Sequence, residues 1–275
     1  MAEPIRASRR GRVLVLRLDR PGRHNAIDGP MLTALDAALE GAAGDPGIRF
    51  VLLEGSEEVF CSGLDLEEAL PRDGGGLSRD AAEAGARRYF ATLRRLALSS
   101  KVIACRVAGR CEAGGLGLVA AADFAVAEPS ARFRLSETLI GLLPATLMPF
   151  LIRRVGYRAA FRLTLAAPML DAEEALRIGL VDAAGHDAEE ALRRVFLACE
   201  RVPERTVAAA KAYFDGLSPM GAAVEDYAVG HIADLLADPA NGARIRRLMA
   251  EGVWQGGWPA AAGAATASAR GTETR

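Results

Sequence analysis

Lysine is almost missing from this chain: Lys101 and Lys211 are the only two among 275 residues, and nearly all positive charge is carried by arginine. The arginines fall in short pairs spread over the chain (Arg9-Arg10, Arg87-Arg88, Arg94-Arg95, Arg153-Arg154, Arg246-Arg247), and the net charge is −1. A near-neutral chain without a basic stripe has no electrostatic footprint for nucleic acid. Solvated helix faces account for most of these pairs, and one could dock an acidic carrier protein. Histidine is scarce too: His24, His186 and His231 stand alone, and the four cysteines (Cys61, Cys105, Cys111, Cys199) have no metal or C-x-x-C spacing. A structural metal site is therefore not expected. No apolar run reaches the length of a membrane span, and "MAEPIRASRR" lacks the apolar stretch of a signal peptide, so a cytoplasmic protein is expected.

What remains is 51% hydrophobic and 25% charged, with enough chain to bury one large domain, or one domain and an appendage. "GRVLVLRLDRP" alternates and stops at a proline, as a strand does. Met31, Leu32, Leu35 and Leu39 return at helical spacing after Asp28, a good cap for a helix over 28–43. "IRFVLLEG" and "KVIACRV" read as buried strands, "DFAVAE" as a short one, and 80–97 as a helix. "PRDGGGLSRD" has the composition of a mobile loop. From residue 147 the pattern is helical almost throughout: Asp171 and Gly179 bracket one helix, and others cover 187–201, 204–215, 221–237 and 241–251. The class is α/β with a helical C-terminal part, and 255–275 reads as a disordered tail.

Two glycine turns are the candidates for chemistry. "SGLD" (Ser62–Asp65) and "AGGLG" (Ala113–Gly117) each follow a buried strand and precede a helical segment. A helix start presents unpaired amide hydrogens and a positive dipole end, so two such turns facing one point could put two N–H donors on one oxygen. Ordinary tight strand-to-helix turns read the same way. A phosphate loop does not fit, because no Lys-Ser or Lys-Thr follows, and G-x-G-x-x-G is absent from the stretch.

"DRPGRHNAI", "FCSGLDLEE", "AGGLGLVAAADFAVAEPSARFRLSE" and "GLLPATLMPFLIRRVG" resemble the enoyl-CoA hydratase/isomerase (crotonase) superfamily, over about Gly11 to Gly252. The resemblance implies a crotonase-like spiral of ββα units over 1–200. It also implies a helical region at 201–254 that builds trimers, often paired into hexamers. It implies acyl thioester substrates, carried on CoA or on the phosphopantetheine of an acyl carrier protein, with no further cofactor. By the family pattern the backbone amides of Leu64 and Gly114 form an oxyanion hole. Typical hydratases carry two glutamates there; the first falls on Gly117 and is missing, while the second falls on Glu137. Dehalogenating members have an aspartate where this chain has Ala145, so that chemistry is excluded. The glycine region is most similar to dehydratases of polyketide β-branching cassettes, which convert 3-hydroxy-3-methylglutaryl to 3-methylglutaconyl groups on a carrier protein. Burial among Phe133, Leu135 and Leu139 would raise the Glu137 pKa toward what a base-then-acid needs.

Around this centre the expectations are plainer. Asp65 caps the helix after its turn, and Glu112 is an open candidate for a second acid or an orienting group. Arg23, His24 and Ala26 fall near where relatives accommodate the CoA or pantetheine end. Arg23, Arg94 and Arg110 are the arginines nearest the motifs that could read a distal carboxylate. Cys61 and Cys111 are packing residues. Lys101 is a strand-edge gatekeeper.

Overall fold

The computed structural model describes residues 3–70 and 77–251; most of the expected mobile loop and the expected tail lie outside them. Two sheets form the frame. The larger has six strands, β1 (Ile5–Arg10), β2 (Val13–Leu18), β3 (Phe50–Glu54), β5 (Val102–Val107), β7 (Phe124–Ala127) and β9 (Ala183–Ala184), adjacent in that order. Only β1 runs antiparallel to its neighbour. The smaller is parallel: β4 (Val59–Cys61), β6 (Arg110–Glu112) and β8 (Arg132–Arg134). The chain visits the large sheet, then the small one, and repeats (β3 to β4, β5 to β6, β7 to β8), which makes the spiral.

Every residue of β3 is buried, as a parallel strand covered on both faces requires. On one face lie α1 (Gly29–Gly44), α3 (Arg79–Ala97) and α4 (Gly114–Ala121), packed through residues such as Leu35, Phe90 and Leu118. On the other, α7 (Ala188–Glu200) sets Phe196 against Phe50 with ring centroids 4.5 Å apart. The remaining helices are the short α2 (Leu66–Ala69), α5 (Met148–Ala166), α6 (Ala172–Arg177), α8 (Glu204–Leu217), α9 (Ala222–Ala237) and α10 (Pro239–Ala250). α5 breaks at Gly156, where φ is 77°. α9 and α10 bring Ala233, Leu236 and Ile245 onto Leu66, Ala82, Ile140 and Leu142, a second apolar cluster.

Lys101 corrects its expected role. β5 is a central strand, so Lys101 at its start is no edge: the residue is 1% exposed. Its ammonium donates to the Asp45 carbonyl (3.1 Å) and pairs with Glu204 at the start of α8. Lys211 donates to the Lys101 carbonyl (2.8 Å) and pairs with Asp123 at 2.7 Å. Each lysine thus serves a carbonyl and a carboxylate at once, with the several donors of one compact ammonium.

Candidate active site

The first turn leaves β4 at Cys61. The Ile27 amide donates to the Gly63 carbonyl (2.7 Å) and the Asp65 amide to the Ile27 carbonyl (2.9 Å), which clamps Leu64 alongside residue 27. Asp65 caps α2, accepting from the Glu68 amide at 3.1 Å, and Asp28 caps α1 by accepting from Met31 at 2.7 Å. A single guanidinium, Arg20, joins the two caps, 2.9 Å from Asp28 and 3.0 Å from Asp65. The helix after this turn has only four residues, so little dipole stands behind Leu64. The expectation of a helix terminus at both turns holds fully only for the second. Asn25 anchors the preceding loop: its amide donates to the Val59 and Phe60 carbonyls and its oxygen accepts from the Arg20 amide.

The second turn leaves β6 at Glu112. Ala113 has φ 48° and ψ −123°, a conformation that costs an L-residue on the order of 1–3 kcal/mol. α4 begins at Gly114. Gly63 (φ +93°) lies against this turn: a Cβ there would come within 2.7 Å of the Ala113 Cβ and 3.0 Å of the Gly114 nitrogen. What approaches each glycine turn so closely is the other one. Among the described residues, the turn and loop hydrogen bonds include the amides of Ile27, Asp65, Leu66, Ala113 and Leu116 but not those of Leu64 and Gly114.

Glu137 follows β8 and opens a 3-10 turn, Glu137–Ile140. Phe133 and Leu135 beneath it are buried, while Leu139 is half-exposed. The Glu137 Oε2 is enclosed without a hydrogen-bond partner. Burial pushes the carboxyl up to about 7 against the opposing pull of the Ser136 and Glu137 amides. Leu64, Asp65, Gly114 and Glu137 all line one cavity of about 450 Å³, otherwise walled by side chains such as Ile27, Leu142, Leu147 and Leu236.

Two residues of this wall escaped the sequence reading. Tyr89, on α3, is buried and donates its hydroxyl proton to the Gly114 carbonyl. A side chain at Gly117 would collide with that hydroxyl, so the position without a first glutamate is occupied from the side by a phenol. In sequence Tyr89 looks like one more apolar position of an amphipathic helix. Arg88 is the only basic side chain in the cavity wall among the described residues, and it reaches the Thr33 hydroxyl of α1. The arginines nearest the motifs are elsewhere: Arg23 pairs with Glu67, Arg94 is exposed, and Arg110 faces His24 and Glu112. Glu112, Arg23, His24 and Ala26 are not among the residues lining the cavity. Cys61 and Cys111 are buried free thiols, and burial raises the Cys61 thiol to about 12, so they pack and do not ionise. No three His, Cys, Asp or Glu side chains gather as metal ligands among the described residues, and no described helix is long and apolar enough to cross a membrane.

The family model for enoyl-CoA hydratase/isomerase matches residues 8–225. The chain belongs to the enoyl-CoA hydratase/isomerase family. It is 34% identical over 206 residues to the bacillaene synthase dehydratase PksH of Bacillus subtilis, covering 74% of this chain and 78% of that protein. It is 34% identical over 182 residues to the 2,3-dehydroadipyl-CoA hydratase of Escherichia coli, covering 66% and 68%. A Bacillus subtilis structure described as a polyketide biosynthesis enoyl-CoA hydratase (pksH) superposes with TM-score 0.82 at 29% identity, over 90% of this chain and 98% of that one. The crotonase fold is therefore shared, and the protein is a hydro-lyase of the hydratase or dehydratase type.

Proposed function

We propose that this enzyme dehydrates a 3-hydroxyacyl thioester in polyketide assembly, converting a 3-hydroxy-3-methylglutaryl group on an acyl carrier protein to a 3-methylglutaconyl group. The observation that carries the reading is the enclosed Glu137 carboxyl, with Oε2 unpartnered and its pKa about 7, in the same cavity as both glycine turns. In this mechanism the Leu64 and Gly114 amides hold the thioester oxygen. Glu137 takes the α-proton, and the electron pair moves onto that oxygen as an enolate. Collapse of the enolate expels the 3-hydroxyl, which leaves as water with the proton Glu137 gained. One group acts as base and then acid, which a pKa close to neutral suits, and no cofactor enters the balance. Each amide donor contributes about 2.7–4 kcal/mol to the transition state.

The dehydratase direction is supported by the likeness to PksH over most of the chain and by Gly117, which leaves one carboxylate where a two-glutamate site would have a pair. Arg88 is the side chain assigned to the distal carboxylate, displacing Arg23, Arg94 and Arg110 from that role. The loop at Arg23, His24 and Ala26 borders the Leu64 turn, where the pantetheine arm would arrive, and Asp65 holds that turn. The exposed apolar side chains Tyr213, Phe214 and Leu217 on α8, within the 201–254 region, and Tyr157, Phe161 and Leu165 on α5 support association with further copies, which the family likeness makes a homotrimer or hexamer.

The test is turnover of 3-hydroxy-3-methylglutaryl carrier protein, followed by mass spectrometry for loss of one water. Glu137→Gln is expected to lose about 10²–10⁴ in rate with unchanged thermal unfolding at pH 5, where the native carboxyl is protonated; near wild-type turnover overturns the mechanism. A second reading, hydration of a 2-enoyl-CoA, is favoured by the likeness to the Escherichia coli hydratase, whose named substrate also ends in a carboxylate. Faster turnover of a CoA ester than of the carrier-bound group would select it. Arg88→Met raises KM for glutaryl substrates and spares crotonyl-CoA in either case.

A further inference from the structure

Departure of a 3-hydroxyl needs two things at its oxygen: a proton from an acid, and an acceptor for the hydrogen it already carries. Among the described residues, Glu137 is the cavity carboxyl free to supply the first, since Asp28, Asp65 and Glu68 all pair with Arg20, the first two also acting as helix caps. Tyr89 is built for the second. Its ring is held in the core with Phe90 and Leu93, the residue lines the cavity, and its hydroxyl lies beside Gly114 and Gly117. The hydroxyl proton is committed to the Gly114 carbonyl, so what Oη has left is lone-pair acceptor capacity. A Cβ at Gly114 would lie 3.4 Å from Oη, which sets that acceptor within one residue's width of the proposed amide donor. The Glu137 charge is also near enough to act on the phenol, after burial and Cys61.

We propose that Tyr89 is a catalytic residue of the dehydration: its Oη accepts a hydrogen bond from the substrate's 3-hydroxyl and turns that oxygen's lone pair to the Glu137 proton. The inference rests on the Glu137 reading above. No proton passes through Tyr89. The Cα–H proton goes to Glu137 and then to the 3-hydroxyl oxygen, the Cβ–O bond breaks, and the released water still donates one hydrogen to Oη. Burial raises the phenol well above its usual range, so it stays protonated and keeps its bond to Gly114 throughout.

Two measurements on the full-length enzyme test this: dehydration of the carrier-bound 3-hydroxyacyl substrate, and α-proton exchange into D₂O on the matching acyl thioester without a 3-hydroxyl. Tyr89→Phe is expected to lower dehydration kcat about tenfold or more, as loss of one hydrogen bond to a developing charge does, with KM within about twofold by the same argument. Its exchange rate stays at the wild-type level, because exchange needs only Glu137 and the amides. Wild-type dehydration in Tyr89→Phe overturns the inference. An equal loss of exchange and dehydration also overturns it, by making Tyr89 a positioning residue of the Gly114 peptide. Glu137→Gln loses both. If instead it keeps exchange, the Glu137 reading itself fails, whatever Tyr89→Phe does.

Discussion

The two glycine turns meet at one cavity but are held by different forces. The turn at Leu64 is fixed from behind by charge: Arg20 gathers Asp28 and Asp65, side chains 15%, 8% and 5% exposed. Leu64 itself remains 40% exposed, with a helix of four residues after it. The turn at Gly114 is fixed by volume: a strained Ala113, the eight residues of α4 mostly buried, and one phenol closing on Gly114 and Gly117. The first should fail through loss of an ionic partner, the second through a misplaced methyl group. Similar backbone geometry can be secured by electrostatics at a rim and by packing in a core, and the sensitivity to mutation follows the means.

The sharpest way to break the pairing is at the contact between the turns. Gly63→Ala puts a methyl group at φ +93° against Ala113 and the Gly114 nitrogen, so steady-state kinetics should show kcat lowered about 10²–10³, as for loss of one oxyanion donor. Arg20→Met leaves Asp28 and Asp65 as neighbouring carboxylates without a counter-charge; urea unfolding should register a loss of about 3 kcal/mol, the scale for breaking a buried ion network. The carboxyl at the cavity gives a pH signature with a definite sign. Glu137 is raised from 4.5 to about 7, so the native state binds its proton more tightly than the unfolded chain, and stability falls as pH rises between those values. Replacing it by Gln should therefore stabilise the fold by about 2 kcal/mol more at pH 8 than at pH 5, read from unfolding curves at both. In the wild type, turnover rises with the carboxylate form and is half-maximal near pH 7. The smallest effect is Ala113→Gly, which relieves the positive-φ strain at the cost of a looser unfolded chain and should gain on the order of 1 kcal/mol. In the Gly63→Ala background it also removes the closest clash, so the double variant should recover part of the lost rate, a coupling that a double-mutant cycle measures.

Much of the architecture was legible because it is written locally. The uninterrupted apolar run of β3, the Asp28 cap and the Asp171–Glu174 capping box are decided by residues a few positions apart. β1 was not legible: only Ile5 of its six residues is buried, so no alternation announces an edge strand. The three-residue strands β4, β6 and β8 are too short to show a period. Within the site, the glycine turns stood out by composition, while their expected amide-donor role and the choice of Glu137 came through a family likeness. Tyr89 and Arg88 were not, because a phenol and a guanidinium on an amphipathic helix carry no sign of what they face. Lys101 misled for the same reason, its strand being central and its ammonium covered by α8.

The sequence by itself determined the α/β class, the placement of most helices, the two glycine turns, and the lack of a carboxylate at position 117. Those follow from periodicity, caps and side-chain identity, which act over one or two turns of chain. Only the tertiary structure decided that Gly63 touches Ala113, that Arg20 ties two caps 37 positions apart (Asp28 and Asp65), and that Tyr89 fills the space beside Gly117. Such contacts join segments distant in sequence: the parallel pairing of β4 with β6 sets the two turns side by side, and α3 brings Tyr89 to the second of them. No local pattern encodes that meeting.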